Sequence, residues 1–287
     1  MKLRIFSSLF VIGVLALGAG GCATVQEESD PLNPRSAPPR LYVGPVGGYN
    51  YAVHTGEFAS IPNNVNNSPV PCPIFDGGTN NGFYAGMTME YLIGNRAVTG
   101  EDPVSSIIGK LVYNSLPGYF DIEGLPYKVV DANGQPVNTE VKHVNNVTYQ
   151  TIDLDLLYKL NLFGTSFGVV AGPTIGFAMG TAQQDQRFEL VSPLNARFEE
   201  DPQAASKGLK YSADGRTITI SEGDLPNASG FRLGIKAGVQ YEMPLFGSTR
   251  YNLIPHVFYN FGITKLTSAE NWRVNALQAG VDFRFAL

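Results

Sequence analysis

His256, in "NLIPHVFYN", is the side chain of this sequence closest to a general base. Asp282 and Glu242 stand at positions that would share its face, and an imidazole held by a carboxylate can take a proton from a substrate. Without a substrate the same residues form a satisfied hydrogen-bonded cluster, and that is the reading adopted. His54 and His143 have no Cys or second His at metal-ligand spacing, so no metal is expected. Cys72, in "PVPCPIF", is a thiol between prolines. It is either a reactive or haem-contacting group, or a structural thiol packed with Ile74 and Phe75. "GPVGGYNYAVHTG" is Gly-rich, but it alternates like a strand and does not precede a helix, as a phosphate cradle would. No catalytic residue and no cofactor is expected, and the chain is read as a non-enzyme.

The elements that must position these residues are strands. In "GFYAGMTMEYLIG", Phe83, Ala85, Met87, Met89, Tyr91 and Ile93 share one face, against Tyr84, Gly86, Thr88 and Glu90 on the other. "TIDLDLLYKLNLF" and "FRLGIKAGVQYEMPL" repeat the pattern, with charge confined to one side. Period two with one charge-free face means β-strand. Eight such runs occur, near 41–53, 82–94, 104–116, 150–162, 167–181, 230–245, 249–263 and 272–287. The connections alternate between short (95–103, 163–166, 246–248) and long (54–81, 117–149, 182–229), the asymmetry of a membrane barrel with turns at one end and loops at the other. The fold expected is all-β: an eight-stranded antiparallel up-and-down transmembrane β-barrel with long external loops.

Two stretches, "YKLNLFGTSFGVVAGP" and "YEMPLFGSTRYNLIP", then read as the same reversal: a strand, a tight turn at Phe-Gly, and a returning strand. Tyr91, Tyr158 and Tyr241 sit on the apolar face just before such turns, and with Phe163 and Phe246 they make a candidate aromatic girdle. The polar face carries Glu90, Asp153, Asp155, Glu242 and Asp282 against Lys110, Lys159, Arg232, Lys236 and Arg284. This balanced set suits an ion-pair network filling a narrow lumen, chiefly Lys159, Arg232 and Lys236 with Asp153, Asp155 and Glu242. A soluble lipocalin-like barrel with a pocket is the competing reading. The fifth run argues against it, because its polar side from Gly168 to Gly180 holds no charge at all. Pro45, Pro173 and Pro255 fall inside strands, where a bulge or kink is the expected accommodation.

The chain has 287 residues with 32 Gly, 17 Phe and 14 Tyr, only 16% charged residues and a formal net charge of −5, which offers no footprint for nucleic acid. Residues 1–21 read as a signal peptide, with Lys2 and Arg4 before an apolar core too short to span a bilayer. Residues 22–40 are a disordered Pro-rich tether, and residues 41–287 are the barrel. "KVVDANGQPVNTEV" and "KYSADGRTITI" hold Asn-Gly and Asp-Gly turn signals within long loops, so strands there are expected to rise above the barrel as a crown.

The end of the signal, Ala-Gly-Gly-Cys, resembles the lipobox of bacterial lipoproteins, although Ala19 replaces the usual Leu. That resemblance implies a lipid on Cys22, and Ala23 after it implies retention in the outer membrane. The terminal run "LQAGVDFRFAL" is similar to the β-signal read by the barrel-assembly machinery, with Phe285-Ala286-Leu287 where a terminal Phe is usual. With "GVVAGPT", these residues make the chain resemble small outer-membrane β-barrel proteins of the OmpA/OmpX type. The resemblance implies a monomer in the outer membrane of a Gram-negative bacterium, with lipids and the assembly machinery as partners. It implies a role in envelope integrity, surface adhesion or partner binding through external loops, with no wall-anchoring domain. Barrels of this kind that deacylate lipid A carry His-x-Ser; here His256-Val257-Phe258 lacks the Ser. The alternative function is a narrow pore or a binder of a small hydrophobic ligand.

Overall fold

The computed structural model describes residues 40–59, 74–93, 105–131, 133–162, 165–246 and 248–287. The signal peptide, most of the tether, Cys22, Cys72 and Phe163 lie outside the described residues. In chain order the strands are β1 (Leu41–Ala59), β2 (Ile74–Ile93), β3 (Ser105–Ser115), β4 (Gly118–Asp131), β5 (Pro136–Thr148), β6 (Gln150–Asn161), β7 (Phe167–Ala178) and β8 (Gln183–Ser192). Then come β9 (Ala196–Arg197), β10 (Lys210–Tyr211), β11 (Thr217–Asp224), β12 (Phe231–Tyr241), β13 (Met243–Leu245), β14 (Ser248–Gly262) and β15 (Arg273–Ala286).

Eight of these close a barrel in the order β1–β2–β3–β6–β7–β12–β14–β15, with β15 returning to β1 and every pair antiparallel. The eight correspond to the eight alternating runs of the sequence. β13 continues the line of β12 against β14 beyond a break at Glu242.

A second sheet, β10–β11–β8–β5–β4–β9, is the crown. Its central strands β4, β5, β8 and β11 stand in the same order as β3, β6, β7 and β12, each joined to its barrel strand by a short break. From β5 to β6 the inward parity is unbroken: Val141, His143, Asn145, Val147 and Tyr149 are buried, and so are Thr151, Asp153 and Asp155. The crown is therefore half of the barrel wall carried upward, with a core of its own that includes Val141, Phe188, Leu190 and Ile218. Its hairpins use the turn chemistry read from sequence. Asp131 accepts from the Asn133 and Gln135 amides around Gly134 (φ 78°), and Asp214 sits beside Gly215 (φ 67°).

The strand prolines are accommodated without the expected bulge. β1 keeps full register with β2 at Pro45 but lacks the rungs to β15 at Gly44 and Pro45, and the register on either side is unchanged. β7 does the same at Pro173, pairing with β12 and skipping β6. Each proline thus turns its missing N–H toward one neighbour only. At Pro45 and Pro173 the preceding glycine lets that neighbour approach: a Cβ on Gly44 would stand 1.8 Å from the Phe283 carbonyl oxygen. Pro255, after Ile254, likewise pairs with β15 and has no rung to β12.

Candidate functional site

Alternation sends half the barrel's side chains outward, and these are apolar around the whole circumference. Met87, Leu111, Leu154, Ile235, Val257 and Val281 are exposed at mid-height. Tyr91, Tyr158, Phe167, Tyr241 and Tyr251 ring one end, and Tyr49, Phe83, Phe177, Phe231 and Tyr259 ring the other. The first ring keeps the three expected tyrosines. Phe246 lies below it in the turn, 88% exposed. The second ring was readable in the sequence as aromatics recurring on the same faces, and the reading missed it. Phe231 and Tyr241 bound the outer face of β12. They are roughly 34 Å apart along the strand at ~3.4 Å per residue, or about 26 Å along the axis at a tilt of about 40°.

The inward face holds all ten charged residues singled out by their position in the strands. Arg232 reaches Asp153 at 3.4 Å, and Lys236 reaches Asp155 at 2.5 Å. Lys159 pairs with Glu242 and, at 2.5 Å, with Glu90. Arg284 bridges Glu90 and Asp282, and Lys110 lies 3.0 Å from Asp282. All are buried except Glu242, which is partly exposed at the lower end. Each of the ten ions thus keeps a counter-charge, as burial requires. Neutral partners that sequence reasoning passed over complete the set: Ser106 donates to Glu90, Thr174 to Asp155 and Asn114 to Asp153. They sit on the same parity as the charges, which was the available signal.

His256 does lie beside Asp282, with Nδ1 3.4 Å from Oδ1, whereas Glu242 is engaged with Lys159. Its Nε2 meets the Tyr84 hydroxyl at 2.5 Å. The sequence reason is a gap of two glycines. Tyr84, Gly48, Gly280 and His256 occupy one rung across β2, β1, β15 and β14, so the Tyr84 ring crosses both glycines to reach the histidine. A Cβ on Gly280 would stand 2.2 Å from the Tyr84 hydroxyl and 2.4 Å from the Gly47 carbonyl oxygen. Gly280→Ala is accordingly expected to cost about 1–3 kcal/mol through overpacking. A lowered urea midpoint of the folded barrel is the measurement.

His54 is buried where barrel meets crown. Its Nδ1 accepts from Trp272 Nε1 at 3.1 Å and its Nε2 donates to the Leu116 carbonyl at 3.2 Å, which settles its neutral tautomer. It packs edge-on to Phe120 within an apolar cluster that closes this end of the lumen. A second cluster, Ile108, Leu157, Val170 and Phe258, fills the lumen lower down. A water-sized cleft lies between Tyr149, Arg232 and Leu266. Among the described residues no group of His, Cys, Asp and Glu has metal-binding geometry. His256 is thus a buried, hydrogen-bonded member of a packed interior.

No protein-family model matches the chain, and no curated protein sequence matches it. Among solved structures it is similar to Ail, the attachment invasion locus protein of Yersinia pestis, at 10% identity and a TM-score of 0.33, over 86% of this chain and 99% of that one. It is also similar to the outer membrane protease OmpT of Escherichia coli, at 8% identity and a TM-score of 0.34, over 89% and 99% of the two chains. A third is the outer membrane protein OprG of Pseudomonas aeruginosa, at 9% identity and a TM-score of 0.31, over 87% and 97%. Similarity at this level carries no argument about activity.

Proposed function

We propose that this chain spans the outer membrane of a Gram-negative bacterium as a solute-tight barrel and works through its crown, as a non-enzymatic scaffold for adhesion or partner binding. The observation that carries the reading is the outward face. An aliphatic belt runs around all eight strands between two aromatic rings, and the ring spacing on β12 matches the ~25 Å apolar band of outer-membrane barrels. A water-soluble barrel would leave this belt as an exposed apolar surface far larger than a monomer tolerates. The lumen supports a scaffold over a pore, since its ions are paired and apolar clusters fill it at two levels. The crown supplies a wide, mixed-charge surface held on a rigid sheet, where recognition loops are usually displayed. In this reading Cys22 is acylated, outer-membrane lipids and the assembly machinery are partners, and the barrel is a monomer, as in OmpA/OmpX-type proteins.

The full chain is expected in outer-membrane fractions, migrating faster on gels when unheated than when boiled. Mass spectrometry is expected to find a lipid-modified Cys22 at the mature N-terminus. Recovery in the soluble periplasm without heat modifiability would overturn the membrane assignment. A steady planar-bilayer current would overturn the solute-tight barrel in favour of the narrow pore.

A further inference from the structure

On β5, well above the aromatic ring of the barrel, the imidazole of His143 lies between two phenyl rings. Phe188 of β8 is 4.4 Å away and Phe75 of β2 4.8 Å away, centroid to centroid. His143 is fully buried, and neither ring nitrogen has a hydrogen-bond partner. Two residues along, Asn145 leaves both amide atoms unpaired, and Gln186, opposite it on β8, leaves its Oε1 unpaired. Unsatisfied buried polar groups are costly, so this is a weak place in an otherwise apolar interior.

The charged groups of the surrounding strands whose side chains are described point elsewhere. Lys142 of β5 pairs with Asp121 and Glu123 of β4 on the outer face. On β8, Arg187 pairs with Asp185 and Glu189, again outside. Glu222 of β11 pairs with Lys210, and Asp76 beside Phe75 is exposed. Toward His143 the neighbouring strands present Phe120, Ile122 and Phe188. No described carboxylate is placed to receive a protonated imidazole.

We propose that His143 makes the contact between the β1–β2 hairpin and the crown acid-labile: the ring occupies the Phe75–Phe188 sandwich only while neutral, and its protonation releases the hairpin. Desolvation without a counter-charge holds the His143 pKa down to about 4. An imidazole in water titrates at about 6.5. The opened form therefore binds the proton more tightly. The contact is at full strength above about pH 6.5 and is lost as pH falls toward 4. At pH 5 the ratio of opened to closed crown rises about 30-fold over its value at pH 7.5. This holds whatever the crown binds.

The test uses the full chain folded in detergent micelles. Hydrogen exchange, corrected for intrinsic rates, is followed on β4, β5 and β8 at pH 7.5 and pH 5, beside the lower barrel strands. Crown amides around His143 are expected to lose protection about 30-fold while the lower barrel does not, and His143→Phe is expected to abolish the difference. His54→Gln, with His143 intact, is expected to keep it. An equal loss in His143→Phe and the parent chain would overturn the proposal. Should His143→Phe not fold, NMR titration of the His143 ring in the parent chain decides: a pKa near 6.5 refutes the device and a strongly lowered one supports it.

Discussion

Arg284→Met is expected to destabilise the folded barrel by about 3–5 kcal/mol, the range for leaving buried ions without their partner. Arg284 is fully buried and its guanidinium bridges the carboxylates of Glu90 and Asp282. Its removal leaves two buried carboxylates sharing less positive charge. Lys159 still reaches Glu90 and Lys110 still reaches Asp282, which should hold the loss near the lower end of that range. Restoring charge balance with Glu90→Gln in the same chain should recover part of it, because the neutral amide still accepts from Ser106. Urea unfolding in micelles measures both. A loss below about 1 kcal/mol for Arg284→Met would show that the lumen is wet enough to solvate its ions.

The second large effect lies on the other face of the same strands. Ile235→Arg and Leu154→Arg place a guanidinium on the outer surface at mid-height, where a lipid-facing arginine costs roughly 2–4 kcal/mol. Both parent residues are exposed between the two aromatic rings. Gln240→Arg is the matched inward substitution, since Gln240 is buried and opposes Gly168, near the partly exposed Glu242. Folding yield in lipid vesicles should fall sharply for the two outward variants and less for Gln240→Arg. The reverse order would exchange inside for outside and make the soluble barrel with a pocket the better reading.

The barrel was legible because its signal is local and repeated. One residue of slip on β6 would turn Asp153 and Asp155 outward and Leu154 and Leu156 inward, so the charges pin the faces of the five strands that carry them, β2, β3, β6, β12 and β15. The ion-pair partners were legible for the same reason: the ten charges that pair in the lumen share the inward parity, in equal numbers of each sign. What the sequence concealed depends on contacts between distant strands. Tyr84 looked like one more polar-side residue. Its role rests on Gly48 and Gly280, which meet it only when β15 closes on β1. Tyr84 and His256 are 172 positions apart. The prolines misled because a bulge is the commoner remedy, whereas here the ladder to one neighbour is left open. The crown's existence followed from two turn signals. The burial of His143 did not, because Phe75 comes from β2, two strands round the wall and 68 positions earlier in the chain.

The crown rests on β3, β6, β7 and β12, while β14, β15, β1 and β2 lie outside its sheet. The seam where the first and last barrel strands meet, β15 to β1, falls in the middle of that second half. It also joins the partners with the longest intervening chain, so it carries the largest loop-closure entropy of any pairing in the barrel. Construction and display are thereby kept apart. The four crown-bearing strands and the sheet above them can be completed as one open surface, and zipping the seam shut afterwards adds no strand to that sheet and removes none. A barrel arrested before closure would still present a finished crown.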